Sequence, residues 1–245
     1  MFKVVIPARY ASSRLPGKPL ADIGGRPMIL HVYQRALEAG AGEVIVATDD
    51  ERVREACESL DAQVEMTSSS HATGSDRIAE VAARRGWPGD TVVVNLQGDE
   101  PLLPPVLVGQ VAGLLAADPG ADLATLCTAI TSEEEFRNPA AVKVVRRADG
   151  RALLFSRAPV PLDRDGDRGL IDTWRHIGLY AYRVAALLRL ASLPPCEMEL
   201  RERLEQLRAL HHGMAIAVSE AMTVPGAGVD TPEDLERVRA LVGAS

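Results

Sequence analysis

The chain has 245 residues, of which 47% are hydrophobic and 25% charged, the balance of a globular protein with a sizeable core. Its formal net charge of −7 argues against nucleic-acid binding, where a broad basic surface is the rule. No run approaches the ~20 apolar residues of a membrane-crossing helix, so no membrane partner is expected. Cys57, Cys127 and Cys196 form no CxxC pair, and no basic segment with an apolar leader precedes the first strand. A cytoplasmic protein with reduced thiols is the expectation.

"FKVVIPA" reads as a strand covered on both faces. "PMILHVYQRALEAG" places Ile29, Val32, Tyr33, Ala36 and Leu37 at helical spacing, with Gly40 as its stop. Strand "EVIVATD", helix "DERVREACESL", strand "AQVEMT", helix "SDRIAEVAARRG", strand "TVVVNLQ", helix "PPVLVGQVAGLLAA" and strand "LATLCTAI" follow. This alternation predicts an α/β fold, a mostly parallel, doubly wound, Rossmann-like sheet.

Beyond about residue 140 the rhythm changes. "AVKVVRR" and "RALLFSR" flank Asp149-Gly150 and read as a hairpin. "PLDRDGDRGLID" is a polar loop, and "WRHIGLYAYR" a strand of alternating character. Helices are predicted over 183–193 and 199–212, then the strand "AIAVSEA" and a last helix from Pro232. The expected organisation is one continuous unit. An α/β half spans 1–140, a mixed α+β insertion at the sheet edge 141–220, and a C-terminal loop and helix 221–245.

Open α/β sheets bind ligands beyond the carboxyl ends of their strands. There the first loop, "ARYASSRLPGKP", gathers Arg9, Arg14 and Lys18 in an acidic chain. It has neither the GxxxxGK[ST] nor the GxGxxG pattern. Its cations suit a polyphosphate, which arginine grips in bidentate fashion and lysine meets as a mobile point charge. A solvated basic loop is the alternative.

In "NLQGDEP", Asp99 follows Gly98, where a backbone can approach a ligand closely. Its carboxylate either binds a metal or caps the next helix. Gln97 both donates and accepts, for a ligand or for a strand-end bond. In "GVDTPEDLE", Thr231 is a good N-cap and Pro232 suits the first helical position. That leaves Asp230 without a structural duty and raises it as a second metal ligand. "HATGSDRIAE" opens a helix with Ser75 as the expected cap and its N-terminus available to phosphate or base. His71 there is loop structure or ligand.

"VVIPARYASSRLPGKPL", "VATDD", "HATGSDRIAE", "VNLQGDEP", "AVKVV", "FSRAPVP", "HIGLYAYR", "LEQLRAL" and "GVDTPEDLERV" together resemble the 3-deoxy-manno-octulosonate cytidylyltransferases. The likeness runs from residue 4 to about residue 240, and "RYxSxRLPGKPL" with "NxQGDEP" is its most specific part. It departs at Val160, where isoleucine is common, and in the loop that follows.

The resemblance implies a nucleotidyltransferase fold and transfer of CMP from CTP to 3-deoxy-manno-octulosonate (Kdo), with release of pyrophosphate. It further implies Mg²⁺ as cofactor, a homodimer and a place in lipopolysaccharide biosynthesis. Arg14, Lys18, Asp99 and Asp230 would be catalytic, with Asp99 and Asp230 holding the metal. Pro7, Ala8, Arg9, Arg14, Lys18, Thr48, Asp49, Ser75, Arg77 and Gln97 would surround the nucleotide. Gln97, Arg157, His176, Tyr180, Glu205 and Gln206 would surround the sugar. His176 and Tyr180, four apart on a presumed strand, point to one face. Glu205 and Gln206, adjacent on a helix, diverge by about 100°. The rival expectations are a transferase for another acidic sugar, such as a sialic acid or an amino-Kdo, and a catalytically dead nucleotide-binding regulator.

Overall fold

Val4 and Ile6 of the first strand face one layer of helices and Val5 faces another, as the two-residue period of a strand between two layers requires. The computed structural model describes residues 1–11, 15–226 and 228–243. Its elements are β1 (Lys3–Ala8), β2 (Asp22–Ile23), β3 (Arg26–Pro27), α1 (Met28–Glu38), β4 (Glu43–Thr48), α2 (Glu51–Glu58), β5 (Val64–Met66), α3 (Gly74–Arg84), β6 (Val92–Asn95) and α4 (Pro105–Ala117). The chain continues through β7 (Leu123–Ala129), α5 (Glu133–Arg137), β8 (Lys143–Arg146), β9 (Ala152–Ser156), β10 (Trp174–Arg183), α6 (Val184–Ser192), α7 (Glu197–Glu202), α8 (Gln206–His211), β11 (Ile216–Glu220) and α9 (Pro232–Gly243).

The large sheet runs β11-β7-β10-β6-β1-β4-β5. β1 is parallel to β4 and β6, β4 to β5, and β11 to β7, as the alternation predicts. β10 enters between β6 and β7, antiparallel to both. The β8–β9 hairpin, turned at Gly150 with φ 80°, hangs on β10 through the pair Arg175↔Lys143.

Helices α1, α2 and α4 bury their apolar faces against one side of the sheet, and α3, α6 and α8 against the other. A third, smaller core joins Ile23, Met28, Val229, Leu235 and Val238. It fastens α9 to the β2–β3 hairpin beside the first loop.

Three local expectations change. The helix over 199–212 is two helices, because Arg203 sits in the left-handed region (φ 52°) and ends α7. Glu205 therefore precedes α8 and does not share a helix surface with Gln206. Ser75 is not the cap of α3. Thr73 is, with its hydroxyl accepting from the Asp76 N–H (3.1 Å) while Asp76 accepts from the Thr73 N–H (3.0 Å). Helix α5 was not foreseen, although Ser132 accepts from the Glu135 N–H at its start (3.2 Å). One other expectation stands: Thr231 accepts from the Asp234 N–H (3.2 Å) and so caps α9. Of the two readings of Asp99, the helix cap falls, because α4 begins at Pro105 behind Pro104.

Candidate active site

Beyond the ends of β1 and β6 lies a cavity of about 390 Å³ lined by Pro7, Ala8, Arg9, Lys18, Gln97 and the two carboxylates Asp99 and Asp230. Lys18 opens a 3-10 turn after Gly17, whose φ of 71° suits glycine. A Cβ on Gly17 would come within 3.1 Å of the Tyr10 hydroxyl, so the loop closes tightly on its own tyrosine. From this turn the Lys18 ammonium donates to Asp99 Oδ2 (2.6 Å) and Asp230 Oδ1 (3.0 Å). Those oxygens are no farther apart than the sum of the two distances. Burial alone would lower the Lys18 pKa, but Asp99 beside it, with Asp230, overrides burial and raises it.

The loops carrying the carboxylates are bolted together. The Val229 N–H donates to the Asp99 carbonyl (2.8 Å), and a Cβ on Gly228 would lie 2.8 Å from Glu100 Oε1. A side chain there would have to displace the Glu100 carboxyl and would press on the Asp99 carbonyl (3.3 Å). Arg9, in this cavity wall, carries one buried guanidinium nitrogen without a hydrogen-bond partner among the described residues, the kind of group an anion satisfies.

Arg14 lies outside the described residues. Thr48, Asp49 and Arg77 stand behind the cavity wall and do not line it. Arg77 is fully buried and donates to Asp49 Oδ2 (2.9 Å) and to the Thr67 hydroxyl. The Thr48 hydroxyl accepts from the Asp50 N–H (3.2 Å). This network fixes the turn leaving β4. Ser75 faces the other way and donates to Glu205 Oε2 (2.6 Å).

A second cavity, of about 720 Å³, adjoins the first through Gln97 and brings together His176, Tyr180, Glu205 and Gln206. The His176 and Tyr180 rings lie 5.2 Å apart, on one face as expected. They keep that face although β10 is bulged between Ile177 and Tyr180. The Thr125 hydroxyl sits under the bulge, 2.9 Å from the Ile177 carbonyl and 3.2 Å from His176 Nε2. Burial pushes the imidazole down to about 3, so His176 is neutral at physiological pH. Burial likewise raises the Glu205 carboxyl.

Among the described residues, Glu205 Oε1 and Asn95 Oδ1 are buried without a hydrogen-bond partner, and both residues line this cavity. Such atoms are costly unless a ligand satisfies them. Glu205 and Gln206 are seated by a buried ion pair below them. Arg208 donates from Nε and Nη2 to Glu199 (2.9 and 2.6 Å), tying α8 to α7.

Arg157 does not line the cavity. Its guanidinium donates to the carbonyls of Glu202 (2.7 Å) and Pro139 (2.9 Å). Among the lining residues that escaped sequence reasoning are Asn95, Arg175 and Glu100. Burial, with Asp99 and Asp230 adding, pushes the Glu100 carboxyl up to about 8. Its position directly after Asp99 was the signal available.

A doubly wound sheet with cations and paired carboxylates at its strand ends, beside a polar acceptor cavity, defines a nucleotidyltransferase. The profile of the family described as "Cytidylyltransferase" matches residues 3–216. The 3-deoxy-manno-octulosonate cytidylyltransferase of Thioalkalivibrio sulfidiphilus is 55% identical over 99% of both chains. That of Vibrio parahaemolyticus is 54% identical over 98% of both. The solved structure of a CMP:2-keto-3-deoxy-manno-octonic acid synthetase complexed with CTP is 45% identical, with TM-score 0.92 over 100% of this chain and 99% of that one. A cytidylyltransferase from Leptospira borgpetersenii, 17% identical at TM-score 0.64 over 100% of this chain and 87% of that one, shares the fold. The chain belongs to the cytidylyltransferase family, among the 3-deoxy-manno-octulosonate cytidylyltransferases.

Proposed function

We infer that this chain transfers CMP from CTP to Kdo, giving CMP-Kdo and pyrophosphate. The observation that carries this reading is Lys18 held between Asp99 and Asp230 at the rim of one cavity, with Gln97 leading into a second. The anomeric hydroxyl of the sugar attacks the α-phosphorus of CTP, the bond to the β,γ-unit breaks, and the hydroxyl proton passes to solvent. Phosphoryl-type transfer leaves a protein little covalent work, so positioning and charge stabilisation dominate.

Arg9 and Lys18 hold the phosphates, Lys18 meeting charge that grows on the departing pyrophosphate. Asp99 and Asp230 fit Mg²⁺, a hard cation that takes one or two carboxylates together with substrate phosphates. When bound, the ion neutralises phosphate charge and orients the reacting group. In the larger cavity the neutral His176, the protonated Tyr180 hydroxyl and the Glu205 carboxyl offer partners to sugar hydroxyls.

No helix among the described residues is long and apolar enough to cross a membrane. A cytoplasmic enzyme that activates Kdo for lipopolysaccharide synthesis accords with this. We take the working form to be a homodimer. The family resemblance suggests it; α6 and α8 bury Leu187, Leu190 and Leu207 within the chain, while Leu162 and Ile171 are exposed. Light scattering near twice 26.2 kDa supports the dimer, and one chain mass refutes it.

The deciding experiment mixes the protein with CTP, Mg²⁺ and Kdo and measures pyrophosphate, with a sialic acid and with ATP or GTP in parallel. Release with CTP and Kdo is expected. No release, or equal release with the other acid sugar or the purine nucleotides, overturns the assignment.

A further inference from the structure

Thr125 of β7 is fully buried and pairs across the sheet with Tyr180, at the place where β10 bulges. The bulge turns two carbonyls toward its hydroxyl. Oγ1 lies 2.9 Å from the Ile177 oxygen and 2.8 Å from the Leu179 oxygen. A hydroxyl has one proton and two lone pairs, whereas a carbonyl only accepts. The proton of Thr125 is therefore committed to the bulge, because buried oxygens this close would otherwise meet lone pair to lone pair.

The third neighbour is His176 Nε2, at 3.2 Å. With the Thr125 proton already engaged, this contact is a hydrogen bond only if Nε2 carries a proton and Oγ1 accepts it. Tyr180, whose hydroxyl also bonds Thr125, is held to donation by the same count. Burial keeps the imidazole neutral, and in a neutral ring a proton fixed on Nε2 leaves Nδ1 as the acceptor. The ring itself is held in place. Phe155 meets it edge-on at 5.0 Å, Tyr180 lies against it at 5.2 Å, and the His176 main-chain N–H donates to the Val142 carbonyl (2.8 Å). So oriented, His176 is half-buried in the lining of the 720 Å³ cavity.

We propose that Thr125 is a positioning residue for the acceptor side: its buried hydroxyl fixes the proton of His176 on Nε2, so that the ring meets the larger cavity with Nδ1 as a hydrogen-bond acceptor. This rests on reading that cavity as the sugar site. The ligand group that such a nitrogen selects is a donor, a sugar hydroxyl, and a carboxylate finds no partner there. Thr125 does not line the cavity and acts only through the ring.

The test uses the full chain with isotope-labelled histidine, beside Thr125→Val, which keeps the shape and removes the hydroxyl, and Thr125→Ser, which keeps the hydroxyl. Nitrogen NMR of the imidazoles, with His176→Gln to assign the signal, reads which ring nitrogen holds the proton. Wild type and Thr125→Ser should show a protonated Nε2 and a bare Nδ1, and Thr125→Val a mixture or the opposite form. The KM for Kdo should rise roughly tenfold in Thr125→Val, the contribution of about one hydrogen bond, with the KM for CTP near wild type throughout. A wild-type ring protonated on Nδ1, or a Thr125→Val ring still protonated on Nε2, overturns the proposal. So does a CTP KM that rises as much as the Kdo KM, or a Thr125→Ser enzyme as poor with Kdo as Thr125→Val. Should Thr125→Val fail to fold by thermal melting, the wild-type spectrum and the Thr125→Ser spectrum and kinetics decide alone. A wild type with the stated tautomer that releases no pyrophosphate with Kdo strikes instead at the acceptor reading.

Discussion

The Lys18 ammonium and the Asp99 carboxylate are 81 positions apart in sequence and 2.6 Å apart in space. Asp230, 212 positions from Lys18, completes the bridge at 3.0 Å. The three groups satisfy one another before any substrate arrives. If CTP and Mg²⁺ bind here as proposed, phosphate would replace carboxylate as the partner of Lys18, and the ion would replace lysine as the partner of the two aspartates.

Lys18→Ala should lower turnover far more than it weakens CTP binding. Loss of a donor that strengthens in the transition state costs about 3 kcal/mol, roughly a hundredfold in rate. Steady-state kinetics decides: near-normal kcat with a raised KM for CTP refutes the role.

Asp230→Asn should leave the fold intact, because Thr231 and Asp234 still cap α9. Turnover should fall at least roughly a hundredfold. A thermal melt and a Mg²⁺ titration of the rate test both halves, and full Mg²⁺-dependent activity would overturn the metal assignment.

Ser75→Ala removes the hydroxyl that donates to Glu205 Oε2 (2.6 Å) and leaves this buried carboxyl less well satisfied. An unsatisfied buried group of this kind costs about 1–3 kcal/mol. The expected result is lower stability with a raised KM for the sugar and a CTP KM near wild type. A raised CTP KM alone would return Ser75 to the nucleotide side.

His176 gives stability a dependence on pH. Its folded pKa of about 3 lies below the ordinary value of 6.5, so the unfolded chain binds the extra proton between them. This contribution is complete above about pH 6.5 and is lost as pH falls toward 3. Denaturant unfolding at pH 7 and pH 5 should show a smaller drop for His176→Gln than for the wild type. An equal drop would show that His176 titrates normally.

The sheet was legible because alternating strands and helices repeat a pattern that local sequence encodes. The Asp149-Gly150 turn and the Thr231 cap were legible for the same reason, each being complete within a few residues. Ser75 was misread because Thr73, two residues earlier, competes for the same duty, and only the Asp76 side chain decides between them. The break at Arg203 depends on the buried Glu199–Arg208 pair and its packing, which no local pattern announces. Helix periodicity runs straight through it. In the site, Asp99, Asp230 and Lys18 converge as their motifs suggested. Asn95 and Arg175 were missed because each reads as an ordinary strand residue until β6 and β10 are placed side by side.

The small core of Ile23, Met28, Val229, Leu235 and Val238 has a consequence for how the enzyme would fail. It is separate from the two cores that hold the sheet, and it is the clasp that brings Asp230 to Lys18. A cut near Val224, which is 68% exposed, would release α9 and leave the β-sheet whole. Inactivation by heat or protease should therefore run ahead of global unfolding, with Lys18 and Asp230 parting while the rest of the chain still scatters and absorbs like a native protein.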